Sequence, residues 1–71
     1  MMPLSLLQAG QEATVCKVGG SPQLRTHLAD LGFVAQARLS VIQSQGGNLI
    51  INLKESRLAL TREMASKIMV V

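Results

Sequence analysis

The chain has 71 residues, a formal net charge of +3, 48% apolar residues and 15% charged residues. That length allows one domain, residues 1–71, with a small core, and the composition is too apolar for a disordered segment. The basic residues are scattered, with no run of the kind that reads nucleic acid or anionic lipid.

Residues 4–9 form a short apolar opening segment closed by Gly10, read as a turn of helix. Ala13, Val15, Cys16 and Val18 then mark a strand over residues 11–18 with one mostly buried face. Gly19 and Gly20 break it. A helix follows over residues 21–31 with its start and stop written in. Ser21 can cap it, and Pro22 suits the first helical position, where a missing N–H costs nothing. Leu24, Leu28 and Leu31 make one apolar stripe. Gly32 fits the left-handed residue after the helix, with Phe33 packing back on Leu28 in a Schellman arrangement.

Beyond the helix the period changes from helical to alternating. Ala37, Leu39 and Val41 alternate with Arg38 and Ser40, a half-buried strand. Residues 43–48 carry turn chemistry centred on Gly46 and Gly47. Leu49, Ile51 and Leu53 return antiparallel, Glu55 and Ser56 make a tight turn, and residues 57–60 form a further strand. Thr61 caps a helical turn over residues 62–67 that carries Met64, Ala65 and Ile68 inward. Residues 69–71 end the chain as a last strand. Five short strands, one inserted α-helix and a short helical turn near the C-terminus imply a mostly β fold, a small antiparallel barrel.

Cys16 is the one cysteine, which excludes an internal disulfide and suits an intracellular domain. Residues 1–7 lack the basic n-region of a signal peptide. Apolar runs such as residues 49–51 fall far short of the roughly 20 residues of a membrane span. The expectation is a cytoplasmic domain that reaches the inner face of a membrane only through a partner.

Catalytic chemistry finds no foothold. Ser, His and Asp are present without a nucleophile elbow or a defining spacing. His27 and Asp30, three apart on the helix, read as a surface pair. The Gly doublets lack the context of a phosphate loop and read as turns. The expectation is no enzyme, no catalytic residue and no cofactor. Metal ligands are equally sparse: Cys16 and His27 stand eleven positions apart, with none of the CxxC, HxxxH or ExxH spacings. Cys16 reads as a small core residue and His27 as a half-buried helix residue, so no metal site is expected. Phe33 is the only aromatic residue, which leaves no stacking platform for single-stranded nucleic acid.

Leu4-x-x-Leu7-x-x-Gly10, Leu28-x-x-Leu31-Gly32-Phe33, and Leu60 followed by Ala65-x-x-Ile68-x-Val70 together resemble the FeoA family, ferrous iron transport protein A, along nearly the whole chain. The resemblance implies an SH3-like β-barrel with an inserted helix, and a cytosolic accessory protein of ferrous iron uptake. It implies a partner, a FeoB-like ferrous iron transporter with a GTP-binding domain. The alternative is a stand-alone regulatory domain like the C-terminal domain of iron-dependent repressors, which the resemblance also implies, or, as small barrels often do, a nucleic-acid-binding small barrel. Two positions depart from the family. His27 stands where a basic residue is frequent, and Ala35-Gln36 replaces a Pro-Gly-like turn, which suggests a turn without positive φ at Gln36. The partner-binding residues expected are Arg25, His27 and Phe33 at the helix and its exit, with Arg38 nearby. Arginine and aromatic residues are favoured as interface anchors. The competing readings are a solvated Arg25 and Arg38 and a packed Phe33.

Overall fold

The computed structural model describes residues 1–46 and 48–71. Gly47, expected in a turn, lies outside the described residues. In chain order the elements are β1 (Met2–Pro3), a 3-10 turn (Leu4–Leu6), β2 (Glu12–Val18), α1 (Pro22–Leu31), β3 (Arg38–Gln45), β4 (Asn48–Leu53), β5 (Ser56–Leu60), α2 (Arg62–Ser66) and β6 (Ile68–Val70). The six strands form one sheet in the order β1-β6-β2-β3-β4-β5, antiparallel at each pairing.

The strand count exceeds the expected five by β1, which is two residues long and pairs Met2 with Val70. Two residues are too few to show an alternating pattern, and Pro3 reads as a breaker. The sheet is SH3-like in outline but is not a closed barrel: β1 and β5 are its two ends and do not pair with each other.

The ends of α1 form as the sequence dictates. The Ser21 hydroxyl accepts the Leu24 N–H at 3.1 Å. At the far end Gly32 has φ 109, its N–H donates to the Ala29 carbonyl, and the Phe33 N–H donates to the Leu28 carbonyl at 3.0 Å. These two bonds are the Schellman pair. Leu28 is fully buried, while Leu24 and Leu31 pack half-buried against the core. Thr61 caps α2 by accepting the Met64 N–H at 3.2 Å. Asn48 adds a link across the chain, its Oδ1 accepting the Arg62 N–H at 2.8 Å.

Every buried residue of the core is apolar. Leu4 and Leu7 close one end, and Val15, Leu39, Val41, Leu49, Ile51 and Leu53 supply the inner face of the sheet. Ala65, Ile68 and Val70 come in from α2 and β6.

Four local expectations are corrected. Strand β3 runs on to Gln45, paired as Gln43–Ile50, Ser44–Leu49 and Gln45–Asn48. The hairpin projects with its polar side chains in water, and backbone pairing needs no apolar pattern. Its turn includes Gly46 at φ 62. The β4–β5 turn is Lys54-Glu55, with Ser56 already paired to Leu53. Cys16 is exposed rather than a core residue. The register shifts between Val15 and Lys17 at a bulge, which turns Cys16 out of the alternation. Gln36 takes φ 74 despite lacking the family's glycine. Its N–H donates to the Val15 carbonyl at 2.8 Å and Ala37 donates to Val34 at 3.0 Å, so bonds from β2 and from the turn hold the left-handed conformation.

Candidate functional site

The outer side of α1 carries a shallow groove lined by Pro22, Gln23, Thr26, His27 and Asp30. These residues lie on the side turned away from the leucine stripe. The Thr26 hydroxyl donates to the Pro22 carbonyl at 2.9 Å. His27 is exposed, not half-buried as its place beside the stripe suggested. It stands beside Asp30 on the next turn, a surface pair.

The four residues expected to form a contact site are not brought together. Arg25 is exposed on α1 but lies about 200° around the helix from His27, so the two flank the helix on different sides. Phe33 is 1% exposed and belongs to the core, so its ring supports the helix exit and offers no surface to a partner. This corrects its expected role as an anchor. The packed reading holds because the Schellman geometry directs the residue after glycine back over the last turn. Arg38 is exposed at the start of β3.

Arg38 belongs to a second surface, the outer face of the sheet. There it lines a shallow pocket with Glu12, Ser40, Asn52 and Lys54. The pairs Leu39–Leu53 and Ser40–Asn52 bring the start of β3 beside the end of β4. Arg38 and Lys54 are thereby neighbours on one face, and Arg57, paired with Asn52, lies on the same face. Sequence reasoning missed Lys54 and Arg57. The polar alternation Asn52, Lys54 and Arg57 across a hairpin was the signal that would have placed them.

Among the described residues no three His, Cys, Asp or Glu side chains gather as a metal-holding group. Cys16 lies on β2 and His27 on α1.

The geometry defines a small SH3-like β domain with two exposed, mixed polar surfaces. The FeoA domain pattern matches residues 2–71. A Methanocaldococcus jannaschii protein proposed as an Fe(2+) transport protein A is 36% identical over 70 residues, covering 99% of this chain and 85% of that one. The chain belongs to the FeoA domain family. Among solved structures it is similar to zinc-complexed FeoA of Stenotrophomonas maltophilia, described as a procaryotic SH3 domain protein. That match has 25% identity and a TM-score of 0.86, covering 100% of this chain and 91% of that one. A manganese-dependent transcriptional repressor matches with a TM-score of 0.90 at 23% identity, over 99% of this chain and 40% of that one, a likeness of fold alone.

Proposed function

We propose that this chain is a cytoplasmic accessory protein of ferrous iron uptake that binds the cytoplasmic GTP-binding region of a FeoB-like membrane transporter. The observation that carries the reading is the FeoA domain match along residues 2–71, supported by the similarity to a protein proposed for Fe(2+) transport. The Stenotrophomonas maltophilia relative is put forward as a ferrous iron transport activating factor, which agrees in kind. No helix among the described residues is long and apolar enough to cross a membrane, and in this reading the chain meets the transporter at its cytoplasmic face. It acts by contact, with no catalytic residue and no cofactor of its own. The proposed contact residues are His27 on the grooved side of α1, Arg25 on the helix's other flank and Arg38 on the sheet face.

The nucleic-acid reading has less support, because the only aromatic ring is buried and base stacking needs an exposed one. The repressor-like reading rests on the fold alone. Calorimetric titration of the chain with the transporter's cytoplasmic region, and separately with single-stranded RNA, tests the proposal. Saturable binding to the transporter region supports it. Binding to RNA alone, weakening steeply with salt, overturns it.

A further inference from the structure

The two ends of the sheet are built differently. At one end β1 has two residues, one of them Pro3, which has no N–H to give a neighbour. At the other end β5 pairs with β4 at five consecutive positions without a bulge. Nothing in its backbone blunts that edge.

The register fixes which backbone groups face outward. The loop between Leu53 and Ser56 has two residues, Lys54 and Glu55, so the closing pair is a hydrogen-bonded one and the pairs alternate from there. Ser56, Leu58 and Leu60 aim their N–H and C=O groups at β4, and Arg57 and Ala59 aim theirs away. None of the backbone hydrogen bonds outside the regular elements engages Arg57 or Ala59 among the described residues. Two donor and acceptor sets, spaced two residues apart, stand open along this edge.

The side chains state what kind of strand would fit. Arg57 and Ala59 are exposed on the outer face, while Leu58 is half-buried on the core face. Lys54 flanks the start of the edge, and Arg38 adds to the same face. The acid lining that face is Glu12 on β2, three strands from β5. Glu55 sits in the hairpin loop, and Arg62 and Glu63 stand in the first turn of α2.

We propose that β5 is a docking edge for an extended segment of a partner protein in which acidic and apolar residues alternate. The segment adds as a further strand, bonded to the Arg57 and Ala59 backbones. An apolar residue opposite Leu58 completes its burial. Acidic residues on the other face meet Arg57 and Lys54. A second copy of this chain brings the same basic residues to the same edge, and like charges set side by side disfavour that pairing. The inference goes beyond the transporter reading and does not depend on which protein supplies the segment.

The experiment is an amide-resolved titration of the whole chain with acetyl-Glu-Val-Glu-Val-Glu-amide and with the matched Lys-Val-Lys-Val-Lys peptide, at millimolar concentrations. The acidic peptide is expected to shift the Arg57 and Ala59 amides and slow their hydrogen exchange. Arg57→Glu is expected to weaken binding roughly tenfold. Ala59→Pro removes an outward N–H that β4 does not use, so it is expected to abolish binding while the Leu58 and Leu60 amides stay protected. If Ala59→Pro loses the folded spectrum, Arg57→Glu decides alone. Equal response to the lysine peptide, shifts confined to other strands, no shift at all, or self-association through the same amides would each overturn the proposal. The peptide titration and the transporter titration use different ligands, so either reading can fail alone.

Discussion

A Cβ placed on Gly32 would stand 3.0 Å from the Cδ2 of Leu53, so the exit of α1 and the end of β4 meet at a spacing that fits glycine. Gly32 also holds φ 109, outside the range that side-chain-bearing residues favour. The contact ties the helix stop to the sheet.

Gly32→Ala meets both penalties together. The backbone strain alone is on the order of 1–3 kcal/mol, before Leu53 is displaced. Urea denaturation should show a clearly lower midpoint, and an unchanged midpoint would contradict both the positive φ at Gly32 and its close approach to Leu53.

Leu28 is fully buried, while Leu24 on the same stripe is half-buried. Leu28→Ala is expected to cost about 2–5 kcal/mol through lost burial and the cavity left behind. Domains this small have little stability in reserve. Leu24→Ala should cost distinctly less. Equal losses at the two positions would show that the stripe is turned differently on the sheet.

Gln36 keeps a left-handed backbone that costs a non-glycine residue about 1–2 kcal/mol. Gln36→Gly relieves that strain but loosens the unfolded chain by roughly 0.4–1 kcal/mol, so the net should be neutral to stabilising. Gln36→Val should destabilise, because a β-branched residue fits positive φ poorly. A valine variant with the parent's denaturation midpoint would contradict the observed turn.

Short-range chemistry was the most legible part of this chain. Ser21, Pro22, Gly32 and Thr61 act within a few residues of themselves, and each does what its type suggests. What escaped reading was set from a distance. The bulge that exposes Cys16 arises from the pairing of β2 with β6, whose residues are some fifty positions away in sequence. The conformation of Gln36 is held by the Val15 carbonyl. The site was legible only in part. Helical spacing put Arg25 on the surface, but the neighbourhood of Arg38 and Lys54 exists only through strand register. Phe33 carries two sequence readings, an interface anchor by residue type and a packed residue by its place after Gly32, and its burial bears out the second.

Cys16 and His27 lie on different elements, and no group of three metal-ligand side chains forms among the described residues. Calorimetric titration of the monomer with ferrous iron and zinc under reducing conditions is expected to give no tight stoichiometric site. A submicromolar site lost in both Cys16→Ser and His27→Ala would contradict this and link the chain directly to metal.

The measurement that bears most directly on the central claim is an amide-shift titration of the labelled chain with the isolated cytoplasmic GTP-binding region of a FeoB-like transporter. The predicted result is a saturable set of shifts that includes α1 on the flanks that carry His27 and Arg25, weakened in an Arg25→Glu, His27→Ala double variant that still folds. Shifts that saturate but map away from α1 and Arg38 would keep the partner and discard the contact surface. A spectrum that stays unchanged at saturating transporter region, while the same chain responds to nucleic acid, would contradict the account.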